Sequence, residues 1–156
     1  MDIWKTYGFS SSEMKDLQYK MRKQDRTNLS YVKKTLDKNN WIGYNIIGYK
    51  ANQTLFLVIQ HADSTTQEKY LPMLRQAVIE KKAFAHDLAL LEDRVLLKRG
   101  LKQLYGSQIK CDSTGKNCWI LPIEDEKNVD KRRKEMGLPP LAEYVKSWNI
   151  IYKTPD

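Results

Sequence analysis

Apolar positions recur along this chain mostly at helical spacing, with one interval of short extended runs. Met14, Leu17 and Met21 fall on one helix face, behind the capping-box spacing Ser10-Ser-Ser-Glu13. Asp25 to Asn28 predicts a second helix start, with Leu29, Val32 and Leu36 as its stripe and Asn39-Asn40 as its end. The stretch WIGYNIIGYK, 41–50, holds two glycines and predicts a loop or a short extended piece. A helix is expected over 51–62. Thr65-Thr-Gln-Glu68 has capping-box spacing again, and Pro72 is expected to kink or restart that helix, with the next one over about 73–82. Another covers about 86–99 and stops at Gly100.

The period then changes. Two short extended runs flank the polar turn DSTGKN within residues 105–125, a hairpin signal. A helical region over about 127–136 closes at Gly137, and Pro139-Pro140 leads into a short final helix, LAEYVKSW. The expected fold is mainly α within the α+β class: about six helices and one β-hairpin near residues 105–122. The 156 residues suit one domain, with its core over about 12–148.

Composition narrows the classes. Hydrophobic content of 41% and charged content of 29% fit a globular chain that buries a core, and argue against disorder. No apolar run approaches the roughly 18 residues of a membrane span. MDIWKTYGFSSSEM has no apolar signal core, so the chain reads as a cytoplasmic monomer, or as an exported one whose leader was removed. In the exported case Cys111 and Cys118, at the two ends of the hairpin turn, would pair; in the cytoplasmic case they are free thiols. The net charge is +8, and residues 1–50 carry ten Lys and Arg against five Asp and Glu. An acidic partner or nucleic acid would suit that third, but most of the bases alternate with acids, which favours a solvated surface.

Asp93 is the clearest candidate for chemistry. On a helix its neighbours one turn away are Ala89, Leu90, Leu96 and Leu97, so its carboxylate is expected inside, where it needs a partner: Arg94, His61 or a backbone amine. A structural carboxylate and a catalytic one fit equally. His61 follows Leu57 and Val58 at a helix end, suited to proton transfer, with Asp63 placed either to hold its tautomer or to cap the next helix. On spacing alone, a histidine there is more often structural. His86, beside Asp87, reads as exposed. Two distant histidines and Cys111-x6-Cys118 make no recognised ligand set, so no metal and no cofactor are expected. Gln103, Tyr105 and Gln108 lie on the hairpin's first strand, with Gly106 permitting close backbone approach. Lys131-Arg132-Arg133-Lys134 follows Asp125, Glu126 and Asp130, the charge order that suits a helix dipole. One of its two arginines is expected to turn inward towards a carboxylate such as Asp93. Phosphate loops, nucleophile elbows and zinc-finger spacings do not occur.

QHAD at 60–63, LEDR at 91–94, KQLYGSQ at 102–108, PIED at 122–125 and VDKRRKEMGLPPLAEY at 129–144 resemble, in order and spacing, a bacterial family classed as a domain of unknown function. The resemblance covers roughly residues 25–144. Ser107 departs from the family's Thr and keeps the hydroxyl. The resemblance implies no reaction. It does imply that Gln60, His61, Asp63, Asp93, Arg94, Gln103, Tyr105, Gly106, Gln108, Asp125, Arg132 and Arg133 belong together, with His61 expected to face Asp93, Arg94 and Gln108.

Two functions compete. One is an acid–base hydrolase or lyase acting on an anionic small molecule. There His61 serves as acid or base, oriented by Asp63 or Asp93. Arg94, Arg132 or Arg133 holds the anion, while Gln60, Gln103, Tyr105 and Gln108 surround the substrate. The other is a binding module, inhibitor-like or immunity-type, that meets an acidic protein partner through Trp4, Tyr7, Trp41, Tyr44, Trp119 and Trp148. Nucleic-acid binding ranks third.

Overall fold

The computed structural model describes residues 6–8 and 11–155. As expected, the fold is mainly helical with one two-stranded antiparallel hairpin. Seven α-helices occur among the described residues, one more than predicted.

Helix α1 (Ser12–Asn39) runs unbroken for 28 residues. Ser11 caps it, its hydroxyl accepting from the Met14 N–H at 3.2 Å; Trp4 and Ser10 lie outside the described residues. The break predicted at Asp25–Asn28 does not occur. Two of the polar side chains there are satisfied along the helix itself: Gln24 Nε2 donates to Asn28 Oδ1 at 2.9 Å, and Thr27 Oγ1 to the Lys23 carbonyl at 3.2 Å. Neither is left to pull the backbone out of helical geometry. Only Val32 and Leu36, near its C-terminal end, are buried.

The predicted loop at 41–50 contains a one-turn helix, α2 (Tyr44–Ile47), and the start of α3 (Tyr49–Gln60). Helix α4 (Ser64–Ile79) begins at a cap on Asp63, not on Thr65, and continues through Pro72 without a restart. Tyr70, Leu71, Leu74 and Ala77 are buried on both sides of the proline, and that packing offsets the missing backbone hydrogen bond. Helix α5 (Ala85–Lys98) lies against α4. Phe56, Ile59, Leu74, Leu91 and Val95 make the centre of the helical core, joined by Val32 and Leu36 of α1. Tyr70 Oη donates to Asp37 Oδ1 at 2.7 Å, fixing the C-terminal end of α1 to α4.

Strands β1 (Ile109–Cys111) and β2 (Cys118–Ile120) pair with Cys111 opposite Cys118, and those two cysteines form a disulfide. A 3-10 turn at Glu126–Asn128 leads into α6 (Val129–Glu135), followed by α7 (Leu141–Tyr144) and a second 3-10 turn at Val145–Trp148. Ile123, Val129, Leu141 and Val145 bury a second, smaller cluster. Between the two cores runs the segment 102–108, and Gln103 bridges to Ile123. No helix among the described residues is long and apolar enough to cross a membrane.

Gly106 sits where that segment presses on the smaller core. Its φ is +68°, and a Cβ there would stand 2.9 Å from Ile123 Cδ1 and 3.0 Å from both Leu141 methyls. Gly106→Ala therefore combines a left-handed backbone with overpacking and should cost about 2–4 kcal/mol. Urea unfolding should show this as a lower midpoint at unchanged slope; an unchanged midpoint would contradict the packing described.

Candidate functional site

Helix α5 is apolar on nearly every side, so Asp93 has no route to solvent and is fully buried. Its oxygens accept from three backbone amides of the 102–108 segment. Leu104 N–H lies at 2.6 Å and Tyr105 N–H at 3.0 Å from Oδ1, and Ser107 N–H at 2.9 Å from Oδ2. Of the partners weighed from sequence, the backbone is the one used. Burial pushes the pKa of Asp93 above the ordinary carboxylate value, and the amide donors pull against it.

Two carbonyls of the same segment go to the arginines. Arg132 Nε donates to the Leu104 carbonyl at 2.8 Å, while its Nη2 reaches the Glu124 carbonyl at 2.6 Å. Arg133 turns inward, as expected of one arginine, and is wholly buried. Its hydrogen bonds run to the Tyr105 carbonyl (2.6 Å) and the Pro139 carbonyl (2.7 Å), not to Asp93. Its guanidinium lies over the Tyr144 ring at 4.8 Å, and the Tyr144 hydroxyl donates to the Ser107 carbonyl at 3.0 Å. Gln103 is buried too: its Nε2 donates to the Leu121 carbonyl at 2.7 Å, and its Oε1 accepts from the Gln108 N–H at 2.8 Å. The Gln108 amide donates to Ser107 Oγ at 3.0 Å. Tyr105 Oη donates to Glu92, which Arg75 of α4 also holds. Arg94 is half-buried; burial lowers its pKa, and its Nε has no hydrogen-bond partner.

The QHAD segment lies elsewhere. Gln60 is buried, and its carbonyl accepts from Gln67 Nε2 at 2.7 Å. Asp63 spends both oxygens on α4, accepting from Thr66 N–H at 2.8 Å and Thr66 Oγ1 at 3.1 Å. The N–H bond holds its pKa below the usual range. Of its two expected roles, the helix cap is the one seen. His61 ends α3, is exposed, and makes no side-chain hydrogen bond or ion pair. No contact joins His61 to Asp93, whose acceptors are filled by the 102–108 backbone. His86, expected to be exposed, is half-buried, stacked on Phe84 and 3.5 Å from Asp87.

His61 instead lines a groove of about 820 Å³ between α1 and the end of α3. The α1 wall includes Met21, Arg22, Asp25, Arg26 and Leu29. Arg22, Asp25, Arg26 and Leu29 follow i, i+3, i+4, i+7 spacing, one helix face. Leu57, Val58, Ala62 and Asp63 complete the other wall. Sequence spacing does not single out Arg22, Asp25 and Arg26, because Asp25 to Asn28 reads as a helix start. Carrying the Met14–Leu17–Met21 stripe unbroken into Leu29 would have revealed them. Among the described residues no three His, Cys, Asp or Glu side chains converge as a metal site.

The model of a family of unknown function, DUF6624, matches residues 7–154, and the chain belongs to that family. No curated protein and no solved structure matches it.

Two substitutions test the buried network. Asp93→Asn faces an NH2 group towards amide donors and should cost about 2–4 kcal/mol in urea unfolding, without moving the His61 ring resonances. Coupled movement of those resonances would contradict the separation described. Arg133→Lys replaces a planar fork with one ammonium that cannot reach both carbonyls, and should cost about 1–3 kcal/mol.

Proposed function

We propose that this domain works through the α1–α3 groove, with His61 as general acid or base and Arg22 and Arg26 holding an anionic substrate. The reaction class that suits such a set is hydrolysis or lyase-type proton transfer. One observation carries the reading: the polar groups of this fold divide into spent and unspent. Asp93, Gln103, Arg132 and Arg133 hold backbone around 102–108, and Asp63 holds the start of α4. His61, Arg22, Asp25 and Arg26 share an apolar groove and have no ion pair or side-chain hydrogen bond. A concave, mostly apolar site with a few converging polar groups is where small molecules bind. In this reading Asp63 is a positioning residue: by capping α4 it sets the turn that aims His61 at α1. Asp25 is the free carboxylate nearest in chemistry to a partner for the imidazole.

A second reading, partner binding without catalysis, draws on a different patch. Tyr44 and Tyr49 pack on Phe84 at 4.9 and 5.0 Å, and Ile46 beside them is 73% exposed. Exposed aromatic and apolar groups of this kind suit an interface.

The two separate by experiment. On a panel of carboxylate and phosphate esters and of β-hydroxy acids, His61→Gln should lower kcat about 10²–10⁴-fold, the usual worth of a general acid or base, at an unchanged urea midpoint. Arg26→Gln should raise KM. Equal turnover by His61→Gln would remove the acid–base role. A chain inert on the whole panel, whose partner capture is lost in Ile46→Asp, would favour the binding module.

A further inference from the structure

We infer that the groove takes a free amphipathic anion: a carboxylate or phosphate carried on an aliphatic chain or ring. This rests on the groove being the functional site. Helices α1 and α3 are joined by the short stretch 40–48 and pack side by side, so they run antiparallel. The groove's lining then has a direction. Along α1, Leu29 lies nearer the connection and Arg26, Asp25, Arg22 and Met21 follow outward; along α3, Leu57 and Val58 lie nearer it and His61 and Asp63 follow. The charged groups gather towards the outer end, with Met21 beside them.

The charged and the apolar groups of the lining ask for different parts of one ligand. Met21 on one wall and Leu57 on the other are 55% and 45% exposed, apolar area left in water along the groove. A hydrocarbon segment laid along them would remove that area from solvent. At the outer end the two arginines stand four residues apart on one helix face, where like charges repel. Neither has a carboxylate within ion-pair distance. Asp63 is committed to Thr66, which leaves Asp25 as the one free carboxylate of the lining against two guanidinium groups. An anionic head between Arg22 and Arg26 would relieve their repulsion and gain planar, bidentate hydrogen bonds. It would also bring the atoms next to that head within reach of His61. The groove's volume of about 820 Å³ lies in the range of small-molecule sites.

The test is an amide NMR titration of the full chain with decanoate below its micelle concentration, and with decanol and acetate as matched probes. Decanoate should shift the amides of Leu29, Val58 and Ala62 and bind at least tenfold more tightly than either matched probe. Arg22→Gln with Arg26→Gln should weaken decanoate at least tenfold and leave decanol unchanged. Leu57→Asp should weaken both. Decanol binding as tightly as decanoate would overturn the anionic head while keeping the groove as a site. Acetate binding as tightly would overturn the apolar tail. Binding to anionic vesicles without any response to monomeric decanoate would overturn the free ligand in favour of a lipid surface. If no probe shifts a groove amide, the ligand class falls. The groove reading falls with it only if His61→Gln also leaves turnover intact.

Discussion

The buried carboxylate of Asp93 is the constraint on which the two halves of this fold depend. The segment between the helical core and the hairpin must cross apolar surroundings, and its amides cannot reach water there. An unpaired buried amide costs about 1–3 kcal/mol, and so does an unpaired carbonyl. Asp93 answers three such amides with one side chain. The arginines answer the carbonyls from the opposite direction, Arg132 at Leu104 and Arg133 at Tyr105. The Leu104–Tyr105 peptide is thus held between an anion on its N–H side and a cation on its C=O side, each charge aligned with the dipole it meets. Arg133 is buried without a carboxylate in contact, its guanidinium held by two carbonyls and the Tyr144 ring.

The same geometry explains why the polar residues of the motifs do not form one cluster. LEDR, KQLYGSQ, PIED and VDKRR converge because all of them serve the crossing segment and its contacts with the hairpin. QHAD stays on the helical side, where Gln60 and Asp63 bind the turn between α3 and α4. His61 is the member of that turn whose side chain holds nothing. A group that neither stabilises the turn nor packs into the core is available for a ligand, and it stands on the rim of a concavity instead of within a network.

Much of the fold was legible because its signals are local and periodic. The apolar surround of Asp93 follows from four residues one turn away, and its burial follows from that. The hairpin follows from a polar, glycine-containing turn between two extended runs, and the closeness of Cys111 and Cys118 from their places at its ends, while their bonding depends on the compartment, which sequence leaves open. The differences share a physical origin: Asp25, Asn28 and Pro72 are start and stop signals only when taken in isolation. In the structure, Asn28 is satisfied within the helix by Gln24, and Pro72 is carried by the buried side chains around it. The candidate site was only half legible for the same reason. His61 could be found from its own neighbours in sequence, but Arg22, Asp25 and Arg26 join it only through the packing of α1 on α3, which an interrupted helix hides.

The groove's two walls are not equally supported. The α3 wall belongs to the core, with Leu55, Phe56 and Ile59 buried immediately behind it. The α1 wall stands on a stretch whose buried residues begin only at Val32, and whose tie to α4 through Asp37 and Tyr70 lies further along still. Local stability follows buried apolar contact, so the outer part of α1 sits at the compliant end of the molecule. In the proposed reading, a ligand spanning both walls restrains that part of the helix as it binds, which takes free energy from its affinity. Drawing α1 towards the ligand would in turn strip water from Arg22, Arg26 and His61 together, and charge interactions strengthen when water leaves. On that proposal the outer part of α1 is a compliant wall that carries the arginines, set opposite a wall backed by the core.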